Sequence, residues 1–160
     1  MAEEKMSFEQ FWESTDESSQ AFVQDLHSYM LANGCKGTFE QKKSGPFASY
    51  KHIKSKKSIL NLLRRKKGTL VRIYGENTGE YHDVLNTLPE EMLAAIGKAG
   101  ICKRLVENTC SPKCTGYDFT IGGERYQKCR YGCFEFLITK TSIPYIKSFV
   151  EGETKARATV

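Results

Sequence analysis

The sequence contains six cysteines, and five of them fall within 32 residues. Cysteines clustered in this way could bind a metal ion. The spacing is Cys102-x7-Cys110-x3-Cys114-x14-Cys129-x3-Cys133. In a reducing compartment, clustered thiols bind metal more often than they form disulfides. Four thiolates can surround one Zn²⁺ ion at about 2.3 Å each, and such a closed site is structural rather than catalytic. We therefore expect a structural zinc site in the C-terminal half of the chain.

The ligand set depends on which thiols can reach one ion. Cys110 and Cys114 flank a loop with a proline, so both thiols can converge. Cys129 and Cys133 would lie about 13 Å apart on a regular strand, at about 3.3 Å per residue. The predicted ligands are Cys102, Cys110, Cys114 and Cys129, and Cys133 then packs in the sheet. If the chain turns between Cys129 and Cys133, Cys133 replaces Cys102 as the fourth ligand. Buried free thiols and thiol redox chemistry are the alternatives.

The sequence around these cysteines resembles the signature of small uncharacterised bacterial proteins. The matching runs are Ile101-Cys102-Lys103-Arg104-Leu105, Cys110-Ser111-Pro112-Lys113-Cys114, Gly116-Tyr117, Lys128-Cys129-Arg130-Tyr131-Gly132-Cys133-Phe134, Arg72-Ile73-Tyr74 and Ile143-Pro144-Tyr145-Ile146. The resemblance covers residues 38–151. It implies a cytoplasmic bacterial protein and brings no activity with it, so no catalytic residue is assigned.

The charge is distributed unevenly, which suggests a second kind of site. The net charge is −6 over residues 1–35, +10 over residues 36–67 and +1 over the remainder. A basic segment interleaved with aromatic residues can hold phosphates and stack bases, so polyanion binding is an alternative function. The candidate residues are Lys51, Lys54, Lys56, Lys57, Arg64, Arg65, Lys66 and Lys67. The competing interpretation is a solvated sheet face.

Aromatic residues near the cysteines suggest a third possibility, a pocket for a small molecule between helices and sheet. Tyr126, Tyr131 and Phe134 are the candidate lining residues. They could equally form part of the core.

Hydrophobic periodicity and turn residues predict the helices and strands that carry these side chains. Their order, with few helices between successive strands, predicts a single α+β domain whose antiparallel sheet has helices packed on one face. We predict helices over 7–33, 81–88, 90–99 and from Ser142 onward, strands over 38–42, 47–53 and 134–139, hairpins over 58–74 and 117–130, and a frayed tail over 151–160.

Composition limits the class of protein. Hydrophobic residues make up 39% of the chain and charged residues 27%, which is typical of a globular domain. The N-terminus is acidic and has no apolar run of the kind a secretory signal needs, and no segment is apolar over enough residues to cross a membrane. We therefore expect a cytoplasmic protein with a small-molecule or polyanion partner.

Overall fold

The structure is a computed structural model, and it describes residues 4–106 and 116–158. The strands are β1 (Glu4–Met6), β2 (Cys35–Lys42), β3 (Gly45–His52), β4 (Ser58–Arg65), β5 (Gly68–Ile73), β6 (Tyr117–Ile121), β7 (Glu124–Lys128) and β8 (Glu135–Leu137). The helices are α1 (Phe8–Ser14), α2 (Glu17–Ala32), α3 (His82–Asn86), α4 (Glu90–Lys98), α5 (Lys103–Val106) and α6 (Ile143–Ala158), with a 3-10 helix over Thr78–Tyr81.

Six of these strands form one sheet in the order β1-β2-β3-β4-β5-β8, and every neighbouring pair is antiparallel. The strands β6 and β7 form a separate hairpin. This architecture confirms the predicted α+β class. It also confirms the hairpin over 58–74, where an apolar strand turns at Lys66-Lys67 into a second buried strand.

The helices pack on one face of the sheet. A row of directly paired residues crosses that face, namely Phe39, Ala48, Leu62, Val71 and Phe136. The ring of Phe11 in α1 lies 5.8 Å from that of Phe39, and the ring of Phe149 in α6 lies 6.3 Å from that of Phe136. Burying side chains of this size contributes about 1.5–3 kcal/mol each, so this face supplies most of the core.

The N-terminal helical segment is two helices rather than one. The hydroxyl groups of Ser14 and Thr15 donate to the carbonyls of Phe11 and Trp12, and α2 starts only after Asp16. Ser and Thr hydroxyls often compete in this way with the helical backbone bonds. The helical segment predicted over 7–33 is therefore present, and it is divided at Thr15 and Asp16.

The C-terminal residues differ most from the prediction. Helix α6 runs on to Ala158, and its last two turns bury Glu153, Thr154 and Arg157. The predicted frayed tail over 151–160 was therefore wrong up to Ala158. Its polar side chains are buried because they bond to other parts of the fold, as the site below shows. No helix in the described ranges has the length and apolarity to cross a membrane.

Candidate ligand-binding cleft

A cleft of about 790 Å³ opens at the end of the sheet where β4 begins and β5 ends. We call this end of the sheet the cleft end. The side chains that matter for its chemistry are those of Lys57, Tyr74, Glu76, Tyr117, Arg130 and Tyr131. They come from the β3–β4 loop, the segment after β5, the start of β6 and the turn that follows β7.

The segment after β5 is held tightly against the core. The backbone N–H of Tyr74 donates to the carbonyl of Ile59 over 2.8 Å, and the Tyr74 hydroxyl donates to Asn61 over 2.7 Å. A Cβ on the next residue, Gly75, would lie 3.0 Å from the Phe134 ring. The close approach explains why a glycine stands there. The Tyr74 ring therefore forms a fixed wall of the cleft.

A buried ion pair lies beneath this segment. Arg157 donates from Nε to the Glu153 carboxylate over 2.8 Å, and its other nitrogens donate to the carbonyls of Ser58 and Tyr74. The Glu153 carboxylate also accepts from Asn77 and from the Tyr81 hydroxyl. This network ties the end of α6 to the beginning of β4 and the end of β5. A buried ion pair with this many hydrogen bonds avoids the desolvation cost that an unpaired charge would carry.

Arg130 is held in place by a carboxylate on one side and by aromatic rings on the other. Its terminal nitrogen donates to Glu76 over 2.5 Å. Its guanidinium carbon lies 5.5 Å from the centre of the Tyr74 ring and 5.8 Å from that of Tyr131, within the range of a cation–π contact. The Tyr131 side chain is 53% exposed and faces solvent at the rim.

Two buried donors, which belong to residues that line the cleft, have no hydrogen-bond partner in residues 4–106 and 116–158. They are the hydroxyl of Tyr117, whose side chain is 7% exposed, and Nε of Arg130. Burial raises the pKa of Tyr117, so its hydroxyl keeps its proton and remains a donor. A buried donor without a partner costs about 1–3 kcal/mol, which an incoming acceptor would recover. A third such group, Nε of Arg72, lies away from the cleft.

Two of the four predicted metal ligands, Cys102 and Cys129, lie in the described part of the structure. Cys110 and Cys114 lie outside the described residues. Cys102 and Cys129 directly follow Ile101 and Lys128, which form an isolated antiparallel bridge. Within residues 4–106 and 116–158, no three Cys, His, Asp or Glu side chains form a group that could hold a metal ion.

Cys133 is fully buried at the end of a turn rather than in a strand. Its backbone N–H donates to the Cys129 carbonyl over 3.0 Å, so the chain folds back between the two cysteines. Of the two alternatives predicted for this segment, the structure therefore has the turn, and Cys133 is buried outside the strands. Burial raises the pKa of Cys133 and of Cys35, which disfavours the reactive thiolate that redox chemistry requires.

The basic segment does not form a single patch. Lys51, Lys54, Lys56 and Lys57 lie at the cleft end, whereas Arg64, Arg65, Lys66 and Lys67 lie at the other end of the same hairpin. At about 3.3 Å per residue, strand β4 separates the two groups by roughly 23 Å. The predicted polyanion-binding residues are therefore not brought together.

Of the three predicted pocket residues, only Tyr131 lines the cleft. Tyr126 stacks on Phe119 with ring centres 5.4 Å apart, and Phe134 is fully buried in the core. The sequence reasoning missed Tyr117 and Arg130. The signal available was the Arg130-Tyr131 pair, a cation beside an aromatic residue at a turn.

No family model matches this chain, and comparison with curated proteins and with solved structures found no match. The resemblance to bacterial proteins described above remains a prediction. The interpretation of the site therefore depends on its geometry.

Proposed function

We propose that this protein is a binding domain that holds a small anionic ligand in the cleft of Tyr117 and Arg130. The observation that carries the proposal is the pair of buried donors, the Tyr117 hydroxyl and Arg130 Nε, without a partner among the described residues. Buried polar groups in folded proteins are nearly always hydrogen-bonded, and two exceptions in one cleft favour a ligand that supplies the acceptors.

The chemistry of the ligand follows from the groups around these donors. A carboxylate or phosphate oxygen can accept from both, and the charge of Lys57 at the rim adds to the attraction. Because Glu76 holds one terminal nitrogen of Arg130, the guanidinium is oriented before the ligand arrives. The Tyr74 and Tyr131 rings offer apolar surface to the rest of the ligand.

The test is an NMR titration with benzoate, inorganic phosphate and a nucleoside monophosphate. Tyr117→Phe removes only the unpartnered hydroxyl, so we expect affinity for the anion to fall about 10- to 100-fold, as for a hydrogen bond to a charged acceptor. The same variant should be at least as stable as the parent protein, because it removes an unsatisfied group. Unchanged affinity in Tyr117→Phe would contradict the proposal.

Tyr126→Phe is the matched control for this experiment. The Tyr126 hydroxyl donates to Glu124 on an exposed part of the hairpin, away from the cleft. We expect this variant to bind the same anions within twofold of the parent protein.

We propose in addition that Cys102, Cys110, Cys114 and Cys129 bind a structural Zn²⁺ ion. Support comes from the antiparallel bridge between Ile101 and Lys128. The next residues in the chain, Cys102 and Cys129, are therefore diagonal neighbours on the same face of this bridge. Diagonal neighbours are about 7–8 Å apart, from which two thiols can converge on one ion. The Cys102 sulfur also lies against Gly116, where a Cβ would come within 2.0 Å of it.

Metal analysis of protein purified without chelators tests the zinc proposal. We expect about one equivalent of zinc in the parent protein and its loss in Cys114→Ser. Cys35→Ser, which removes a buried thiol of strand β2, should retain the metal. Zinc that survives Cys114→Ser would exclude Cys114 as a ligand.

We also propose a reducing compartment, the cytoplasm, for this chain. The support is that none of the four described cysteines, Cys35, Cys102, Cys129 and Cys133, forms a disulfide.

A further inference from the structure

A second cleft of about 400 Å³ adjoins the first. Lys57 and Glu76 line both clefts, so they mark the boundary between them. Beyond this boundary the second cleft is lined by His52, Lys54 and Arg157, among others. The two clefts therefore form one elongated depression across the cleft end of the sheet.

The charge balance along this depression favours an anion. The carboxylates of Asp118 and Glu76 are held by Arg125 and Arg130, at 2.7 Å and 2.5 Å. Glu153 likewise neutralises Arg157. Lys54 and Lys57, by contrast, are exposed and form no ion pair within residues 4–106 and 116–158.

The loop that carries these two lysines has a defined shape. The backbone N–H of His52 donates to the Lys57 carbonyl, and that of Lys56 donates to the His52 carbonyl. Lys56 has a φ of +60°, which is uncommon outside glycine and is retained where the surrounding structure fixes it. The loop is therefore a built turn that holds Lys54 and Lys57 beside the clefts.

The first cleft is much larger than a single carboxylate or phosphate. Clefts of about 300–1,000 Å³ hold ligands with several ring or chain groups. The Tyr131 ring, half exposed and edge-on to the Tyr74 ring, gives a flat group a surface to stack on. The large cleft therefore suits a ring, and the cationic second cleft suits a charged chain.

We infer that the ligand spans both clefts, with a flat ring beside Tyr131 and an anionic chain that passes Lys57 toward Lys54. Its chemical class is that of a nucleoside polyphosphate. This inference rests on the proposed function, since Tyr117 and Arg130 bind the group nearest the ring. Beyond the proposed function, the inference predicts that the affinity of the ligand depends on the length of its anionic chain.

The experiment compares a nucleoside mono-, di- and triphosphate with inorganic tripolyphosphate by calorimetry in magnesium-free buffer at constant salt. We expect affinity to rise about tenfold from the monophosphate to the triphosphate. Lys54→Ala should abolish this increase and leave the monophosphate unaffected. Tyr131→Leu should weaken all three nucleotides about fivefold and leave tripolyphosphate unaffected.

Lys43→Ala, at the other end of the sheet, is the charge-matched control and should change none of these affinities. Equal affinity for mono- and triphosphate, or a chain-length dependence that survives Lys54→Ala, would overturn the inference while leaving the proposed function intact. If none of these anions binds and benzoate does not bind either, the proposed function itself fails. Tripolyphosphate binding as tightly as the nucleoside triphosphate would overturn the role of the ring.

Discussion

The two ends of the six-stranded sheet carry similar numbers of basic residues in very different surroundings. At the cleft end, lysines and arginines lie among aromatic rings and paired carboxylates. The other end, which we call the turn end, carries the β2–β3 and β4–β5 turns, with Lys43, Lys66 and Lys67 exposed to solvent. Charge alone does not distinguish the two ends, whereas the walls and partners around each charge do.

The arginines of the turn end serve the fold. Arg64 donates from Nε to the Ser14 carbonyl over 3.0 Å, and Arg65 donates to the Ser44 carbonyl over 3.3 Å. These contacts connect the end of β4 to the α1–α2 junction and to the β2–β3 turn. At the cleft end, by contrast, Arg130 keeps a donor without a described partner. Arg72, outside the cleft, is the other arginine in the described residues with a buried Nε that has no partner.

The largest effect should come from breaking the buried pair at the cleft end. Glu153→Gln leaves Arg157 without its main counterion, and removing one partner of a buried pair costs about 3–5 kcal/mol. We expect the free energy of unfolding, measured in urea, to fall by that amount. Asp118→Asn breaks an exposed pair with Arg125, which water screens, and should cost far less. Equal losses in the two variants would show that burial does not govern these pairs.

A smaller effect should separate the two ends as anion-binding surfaces. We expect the double variant Lys66→Ala, Lys67→Ala to elute earlier from heparin, because it removes two exposed charges from the turn end. Its affinity for the small anions of the cleft should stay within twofold of that of the parent protein. Loss of both heparin retention and affinity for the small anions would indicate one continuous polyanion surface.

The smallest effect should be the acid sensitivity of the turn end. Partial burial would raise the pKa of Asp16, but hydrogen bonds from Ser19, Thr69 and Ser18 outweigh it and lower the pKa to about 2. The ionised Asp16 carboxylate stabilises the fold at pH values above the pKa of Asp in the unfolded chain, about 4. This contribution is lost as the pH falls toward 2.

Urea unfolding midpoints of the parent protein and of Asp16→Asn test the direction of this pH dependence. The parent should be more stable at pH 5, and the difference should shrink at pH 2.5. A difference that stays constant between these two pH values would show that the Asp16 carboxylate does not carry the effect.

Much of the local architecture could be predicted from the sequence alone. The hairpins over 58–74 and 117–130 were predictable because each turn carries its own signal, a glycine or a polar pair between apolar strands. The α4 helix was predictable from its apolar period and its end at Ala99-Gly100. Periodicity and turn chemistry act over a few residues, so a single sequence suffices to read them.

The candidate site, by contrast, is formed by segments that are distant in the sequence. Glu153 belongs to a polar run that looks like a frayed end, and its partners Asn77 and Tyr81 lie more than 70 positions earlier. The eight candidate basic residues look like one cluster in the sequence, but an antiparallel strand carries half of them to the far end of the sheet. Tyr117 and Arg130 line one cleft because the separate β6–β7 hairpin returns the chain to it. Burial and the loss of hydrogen-bond partners arise from packing between distant segments, which local patterns do not encode.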